Sequence, residues 1–188
     1  MTNGTTVAKP SGVVAGDLLL ATLEVDADPS TVSGPAGWTL LMDTAAAQGT
    51  GQAYHAQVWY RVATGSEPVS YGWTVSGSPW VDIGVLAYSN VNQASPIDVS
   101  SGRYAGVVTS ASTNAVTTTG PNEMVVALFI DYNAGSWTAG SGMTQRYDFD
   151  SNDAQDVLQA SAGSTGAKSA TNSTSGPVTA QIVALRAP

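Results

Sequence analysis

Cysteine is absent from this chain of 188 residues, and histidine occurs once, at position 55. Without cysteine there is no disulfide, no thiolate metal site and no cysteine nucleophile, and a single histidine excludes a zinc site built from several. A Ser/His/Asp triad would have to use His55. That residue stands inside an alternating, strand-like segment, so a surface or rim position is the simpler interpretation. No serine occurs in a Gly-x-Ser-x-Gly elbow, and we expect a protein that is not an enzyme.

Charged residues are also scarce, at 11% of the chain against roughly 25% in ordinary globular proteins. Fourteen acidic residues outnumber six basic ones, which gives a net charge of −8. Nucleic acid is excluded as a partner, because its non-specific affinity depends on Lys and Arg that neutralise phosphates, and no basic run occurs. The longest apolar runs, residues 18–21 and 124–130, are too short to span a bilayer, so no membrane insertion is expected.

The surface must therefore consist largely of Thr, Ser, Asn, Gln and Gly, which is typical of secreted and virion β-proteins. The first six residues lack the charged and apolar regions of a signal peptide. The chain begins with Met and stops just after its last predicted strand, so we expect a complete protein with a single domain over residues 1–188. We expect a virion or extracellular location, reached after removal of a signal or by lysis of the host cell.

Short strand patterns separated by turns cover most of the chain. In residues 54–62 every second side chain is Tyr, Ala or Val, and this period of two indicates a half-buried strand. The turns between the strand patterns are rich in Gly, Pro, Ser and Asn. Together they predict an all-β protein, an antiparallel two-sheet β-sandwich with a jelly-roll-like arrangement. The other predicted strands lie at residues 18–25, 69–75, 81–88, 123–132, 145–149 and 178–185.

Only one segment is a candidate for helix. Residues 151–160 begin with Ser, Asn and Asp, which could cap a short helix, but a loop or a strand is an equal alternative. Residues 44–53 and 161–175 are small, polar and Gly-rich, and we interpret them as long loops. The predicted core consists of Leu18, Leu20, Val58, Tyr60, Val85, Val126, Leu128, Ile182 and Ala184.

Two acidic clusters suggest a calcium site, because hard cations prefer oxygen ligands and like charges this close are costly unless solvated or bridged by a cation. The alternative is that both are ordinary solvated acids. The first cluster occupies alternate positions at a strand end, so that its side chains lean to one face. The first cluster is Glu24, Asp26 and Asp28, and the second is Asp148, Asp150, Asn152, Asp153 and Asp156.

The second cluster begins like an EF-hand loop but does not complete one. Asp153 stands at the sixth position, where the motif requires Gly, and Gln159 stands at the twelfth, where it requires Glu. A looser calcium site at the edge of the sandwich is therefore the hypothesis. Glycosidase chemistry also needs two carboxylates, roughly 5 to 9.5 Å apart in a cleft, but nothing in the sequence selects such a pair. A polysaccharide-active enzyme is accordingly the least favoured function.

The five tryptophans are numerous for this length. Trp38, Trp80 and Trp137 lie in turn-like segments, where an indole can stack on a sugar ring or anchor a protein partner. We take these three as candidate anchors for a ligand or partner. For Trp38 and for Trp59 the stronger alternative is that the side chain closes an end of the sandwich, whereas for Trp80 and Trp137 the two interpretations weigh about equally.

The order of several short motifs resembles a loosely defined group of jelly-roll-like modules, found in phage virion and tail proteins and in large secreted bacterial surface proteins. The motifs are GDLLLA at 16–21, PAGWTL at 35–40, VWYRVA at 58–63, AYSNV at 87–91 with PID at 96–98, and ALR at 184–186. They cover nearly the whole chain, but they are structural and include no catalytic motif. The resemblance implies attachment or assembly at a surface, with carbohydrate as the common ligand.

Three classes of function follow from these observations. The first is a structural protein of a virion or cell surface, which assembles with itself or with other virion or surface proteins into a capsid, tail or filament. The second is a carbohydrate-binding, lectin-like module that recognises a glycan receptor. The third is a polysaccharide-active enzyme. We expect one of the first two, with homo-oligomerisation, and calcium as the only cofactor to consider.

Overall fold

A computed structural model describes residues 1–26, 31–46 and 54–188, and for Asn3 the backbone alone. Within these ranges the regular structure is entirely β, and no helix there could cross a membrane. In chain order the strands are β1 Thr2–Asn3, β2 Thr6–Ala8, β3 Leu18–Val25, β4 Val32–Ser33, β5 Thr39–Ala45, β6 His55–Val62, β7 Ser70–Gly72, β8 Thr74–Val75, β9 Val81–Tyr88, β10 Ile97–Ser112, β11 Thr117–Thr118, β12 Glu123–Asp131, β13 Trp137–Ala139, β14 Thr144–Phe149, β15 Asn152–Gln159, β16 Gly163–Ser164 and β17 Ser169–Leu185.

These strands form two larger sheets and three two-stranded ones, and the pairings are antiparallel. The first sheet has the order β1-β9-β3-β6-β5. The second has the order β10-β17-β12-β15-β14, and β13 also pairs with β17. The small sheets are β2-β7, β4-β8 and β11-β16. Strands that are distant in sequence therefore become neighbours in each large sheet. The last residues of β3 and the first residues of β9 and β15 consequently lie close together.

The central strand β3 is buried along its whole length. Leu18 and Leu20 belong to one apolar cluster, whereas Leu19, Ala21 and Leu23 belong to another. Because successive side chains of a strand point to opposite faces, the first sheet is covered on both faces. This double coverage explains why residues 18–23 are almost continuously apolar instead of alternating with polar residues.

The two larger sheets contact each other through a shared apolar cluster. Leu18 and Leu20 of β3 pack in it together with Leu128 of β12 and Val183 of β17. Of the nine predicted core residues, Leu18, Leu20, Val58, Val126, Leu128, Ile182 and Ala184 are buried, as expected, while Tyr60 and Val85 are only partly buried. Residues with even numbers on β3 face the second sheet, and this alternation continues to the site described below.

Three segments differ from the sequence-based expectation, and a fourth, left open between helix, loop and strand, is now assigned. That fourth segment, residues 151–160, holds strand β15, because it fills a position between β12 and β14 where both neighbours supply backbone hydrogen bonds. Residues 161–175, expected to be a loop, contain β16 and the first part of β17. The sixteen-residue strand β10 was not expected, since it contains Asp98, Gly102 and Gly106, whose residue types are depleted in strands, but it pairs along β17. The expected loop 44–53 is wrong at its start, since Thr44 and Ala45 belong to β5 and pair with β6, while residues 47–53 lie outside the described residues.

Candidate functional site

An acidic pocket of about 230 Å³ lies where β3 ends, β9 begins and β15 begins. The first sheet and its flanks contribute Glu24, Asp26, Trp80 and Asp82. Segments that flank β12 and β15 in the second sheet contribute Tyr132, Asn133, Ala134, Asp150 and Ser151. None of these described lining residues is basic, so the pocket collects four carboxyl groups without a positive side chain in its wall.

Two of the carboxyl groups are direct cross-strand neighbours. Glu24 on β3 lies opposite Asp82 on β9, in an antiparallel pair whose side chains share one face of the sheet. Glu24 is 1% exposed and Asp82 is 0% exposed. Because Glu24 follows Leu18 and Leu20 at even positions, it points toward the second sheet, where Ser151 is located. The antiparallel register is therefore what places two buried acids side by side.

The hydroxyl of Ser151 contacts both of these acids. Its Oγ lies within hydrogen-bond distance of Glu24 Oε2 and 2.8 Å from Asp82 Oδ2. A serine hydroxyl carries one proton and can donate it to only one of the two oxygens. The other contact therefore requires a proton on a carboxyl group, which then donates to Oγ, or a positive ion that replaces this proton.

Further oxygens at the same place have no hydrogen-bond partner among the described residues. They are Glu24 Oε1, Asp26 Oδ1 and Asp82 Oδ1. Buried polar atoms in folded proteins are nearly always paired, and each exception calls for a specific explanation such as an ion or a water molecule. Three such oxygens among the described residues form an acceptor-rich site that suits a positively charged or hydrogen-bond-donating group.

The electrostatics of the pocket favour added positive charge. Burial raises the pKa of Glu24 well above its ordinary value, and the neighbouring charge of Asp26 raises it further. Burial likewise raises the pKa of Asp26 to about 6, with repulsion from Asp82 and Asp150 acting in the same direction. Burial also raises the pKa of Asp82; the hydrogen bond from Ser151 opposes part of this rise, and repulsion from Asp150 adds a smaller one. These groups consequently bind protons more readily than free carboxylates do.

Trp80 stands at the rim of the pocket with 55% of its surface exposed. Its backbone is held in place, since the N–H of Asp26 donates to the Trp80 carbonyl oxygen at 3.0 Å. An interaction with the Trp80 side chain lowers the pKa of Asp82. Trp80 therefore combines a largely exposed indole with a direct link to the acids of the pocket floor.

The other two predicted anchors are located differently. Trp38 is 8% exposed and meets Tyr71 and Trp73 edge-to-face, with ring centroids 5.0 and 5.2 Å apart. Trp137 is 4% exposed and packs on Phe129, with centroids 5.6 Å apart. Both side chains are parts of apolar clusters. Trp38 follows the turn at residues 36–37, whereas Trp137 is the first residue of strand β13, which pairs with β17. Their burial disagrees with the expectation that they anchor a ligand or partner at the surface.

The predicted metal residues divide between separate places. Asp150, Glu24 and Asp26 line the acidic pocket. Asp153 points to the opposite face of its sheet, where it accepts hydrogen bonds from the side-chain amides of Gln145 (2.6 Å) and Gln155 (2.6 Å). Asp153 is separated from the pocket because β15 is a strand, in which the neighbouring residues 152 and 153 point to opposite faces of the sheet.

The remaining members of the two clusters do not line the pocket either. Asp148 accepts a hydrogen bond from the backbone N–H of Trp137 at 3.1 Å. Asn152 is buried at the start of β15, and its Oδ1 has no partner among the described residues. Asp156 pairs with Arg146 at 2.7 Å and accepts a bond from the Tyr88 hydroxyl. Asp28 lies outside the described residues. The second cluster is therefore not one site.

Sequence reasoning missed Asp82 and Ser151. Asp82 is the single acidic residue of an otherwise apolar strand, which is the signal that could have identified it. Ser151 carries no such signal, because one serine among many becomes important only when β15 pairs with β12 and places it opposite β3. No group of three or more acidic or histidine side chains among the described residues already has an arrangement suited to a metal ion.

Comparisons of the chain with known proteins give no match. No protein-family model matches the chain, and no curated protein or solved structure matches it either. The resemblance to jelly-roll-like virion and surface modules accordingly stays a prediction. What the chain is shown to be is an all-β protein of antiparallel sheets with an acidic pocket beside an exposed tryptophan.

Proposed function

We propose that this protein is a non-catalytic binding domain of a virion or cell surface, which recognises glycan at the acidic pocket beside Trp80. The observation that carries the proposal is the pairing of an indole that is 55% exposed with carboxylate oxygens that have no hydrogen-bond partner among the described residues. In the fold that we infer, the two larger sheets form a jelly-roll-like sandwich, and the pocket opens at one end of it.

The chemistry of a sugar matches these two features. The apolar face of a pyranose ring packs on an aromatic face, and its hydroxyl groups donate hydrogen bonds to carboxylate oxygens. Asp26 and Asp150 are partly exposed at the pocket and can accept such bonds. A volume of about 230 Å³ is below the roughly 300 to 1,000 Å³ of pockets for drug-sized ligands, so we expect one terminal sugar unit to enter.

Glycan retention by single-residue variants tests the proposal. Affinity electrophoresis through gels that contain bacterial or plant polysaccharides should slow the wild-type protein, and Trp80→Ala should remove this retardation. Leu158→Ala is the matched control, because Leu158 is also 55% exposed but belongs to β15 outside the acidic pocket. Equal migration of the wild type and Trp80→Ala in every gel, or the same loss in Leu158→Ala, would refute glycan recognition through Trp80.

Catalysis fits the pocket less well than binding does. A catalytic carboxylate must reach the scissile bond, but Glu24 and Asp82 are almost completely buried and engage Ser151. We therefore propose that bound polysaccharide is not cleaved. The check is a reducing-end assay after prolonged incubation with any polysaccharide that is retained. Release of new reducing ends that stops on Asp82→Asn would overturn the non-catalytic proposal.

Assembly is the second candidate function, and the outer strand β10 favours it. β10 is at the end of its sheet, and its Val107 is 55% exposed. An outer strand offers backbone groups that can pair with a copy of this chain or with another virion or surface protein. Sedimentation velocity should then show an oligomer that Val107→Asp dissociates. A monomer at all concentrations would exclude self-assembly through this edge.

A further inference from the structure

We propose that the acidic pocket binds one calcium ion, held by Glu24 and Asp82 at its floor and by Asp26 and Asp150 at its rim. This inference concerns the ion alone and does not depend on glycan binding. The four carboxyl groups come from three separate segments of the chain, namely the end of β3, the start of β9 and the turn before β15. A single ion at this point would link the two larger sheets.

The negative charge of the pocket acids is the first observation that favours a cation. Ion pairs are found for Asp43, Glu67, Asp98 and Asp156 among the described residues, and Glu24, Asp26 and Asp82 are not among them. None of the described residues in the wall of the pocket is basic. Buried charge without a partner is among the most costly features that a fold can contain. A divalent cation removes that cost for two carboxylates at once, whereas a sugar hydroxyl supplies only a hydrogen bond.

Individual carboxylate oxygens of Glu24 and Asp82 support the site independently of the number of acids. Glu24 and Asp82 are 1% and 0% exposed, both line the pocket, and each has one carboxylate oxygen without a partner among the described residues. Their other oxygens both contact Ser151 Oγ, which has a single proton. A cation beside this hydroxyl allows both acids to be ionised, with Ser151 donating to one of them.

The ligand atoms of the pocket favour calcium over other metal ions. The described residues of the pocket wall offer carboxylate, hydroxyl and amide oxygens and include no sulfur and no imidazole, which favours a hard cation over zinc or copper. Calcium accepts six to eight oxygens in flexible geometry. Magnesium requires a near-ideal octahedron, which side chains from three segments do not readily supply. Because Asp26 and Asp150 are partly exposed, they can turn toward an ion that Glu24 and Asp82 already contact.

Isothermal titration calorimetry of the full chain tests the proposal, with calcium chloride added after removal of metal by a chelator. We expect saturable binding at one site, a rise in melting temperature with calcium, and weaker binding of magnesium. Asp82→Asn should weaken calcium binding by at least about tenfold, because it removes one charged ligand and leaves a similar shape. Asp148→Asn is the matched control, since this exposed acid was a predicted ligand but lies outside the pocket.

Each alternative outcome contradicts the proposal. The absence of calcium heat and of a thermal shift in the wild type at millimolar calcium excludes the site. Equal calcium affinity of Asp82→Asn and the wild type, or equal losses in Asp82→Asn and Asp148→Asn, excludes these ligands. If Asp82→Asn does not fold, as judged by circular dichroism, Asp26→Asn at the partly exposed rim takes its place with the same expected weakening. Glycan retention is measured separately, so failure of either proposal is recognised without the other.

Discussion

Glu24 and Asp82 lie on neighbouring antiparallel strands, and both contact one serine hydroxyl. This hydroxyl belongs to Ser151, in the turn that precedes β15 of the opposite sheet. This contact joins the two larger sheets at the floor of the pocket. It also makes the ionisation of each acid depend on the other, because the hydroxyl proton can satisfy only one of them. The predictions below test this contact, the roles of the tryptophans, the core and the buried acid Asp131.

Removal of the shared hydroxyl should destabilise the protein in the absence of calcium. In Ser151→Ala a buried carboxyl oxygen loses its partner, which costs about 1–3 kcal/mol. Chemical denaturation in chelator-containing buffer measures this loss. The control is Ser112→Ala, because Ser112 also takes part in a hydroxyl contact, 2.8 Å from Ser169, but at the exposed surface. That control should change the free energy of unfolding by less than about 0.5 kcal/mol, and a similar change in Ser151→Ala would contradict the prediction.

The tryptophans should divide into structural and binding residues. Trp38→Ala removes a buried side chain from an aromatic cluster and should cost about 3–5 kcal/mol. Trp80→Ala removes a largely exposed side chain and should cost less than about 1 kcal/mol. Urea denaturation compares the two variants. Comparable losses of stability would show that Trp80 has a structural role, and its use as a ligand platform would lose its support.

The shared cluster between the larger sheets should be sensitive to truncation. Leu128 is fully buried between them, so Leu128→Ala should lower the free energy of unfolding by about 2–5 kcal/mol. Leu158 has the same side chain but is 55% exposed, and Leu158→Ala should change stability by less than about 0.5 kcal/mol. The comparison uses equilibrium denaturation at one pH. If the Leu128 variant lost as little as the Leu158 variant, the packing between the sheets described above would be wrong.

Stability should fall as the pH rises from about 4 to above 6, in part because of Asp131. Burial raises the pKa of this residue to about 6 from an ordinary value of 3.8. A raised carboxyl pKa means that the folded state holds a proton that the unfolded state has already released in this interval. Stability is then greatest below the unfolded pKa and is lost as the pH passes through the folded one. For a side chain with no exposed surface, two pKa units correspond to roughly 3 kcal/mol.

Asp131→Asn isolates this contribution. An amide does not titrate, so the difference in unfolding free energy between pH 4 and pH 7 should shrink by a large part of roughly 3 kcal/mol. Parallel urea titrations at the two pH values, for the variant and the wild type, measure it. Other acids with raised pKa, such as Asp153, contribute in both proteins and cancel in the comparison. An unchanged difference would show that Asp131 ionises normally in the folded protein.

The local pattern of the sequence was sufficient for the longer apolar strands. Residues 54–62 alternate and form β6, and the apolar segment 123–132 forms β12, because period and burial are properties of neighbouring residues. The pattern was insufficient for β10 and for the start of β17. Their Ser, Thr and Gly residues resemble a loop, and only their mutual pairing supplies the hydrogen bonds that make them strands.

For the site, the sequence by itself determined which chemistry is available. The absence of cysteine, the single histidine and the excess of acids limit a polar site to oxygen ligands, and three of the predicted acids, Glu24, Asp26 and Asp150, do line the pocket. The tertiary structure alone decided which oxygens meet. Ser151 is 127 residues from Glu24 and 69 from Asp82, and their contact depends on the register of β3 with β9 and on the position of β15. A shift of one residue in either register would turn these side chains to the opposite face, and no local feature of the chain specifies that register.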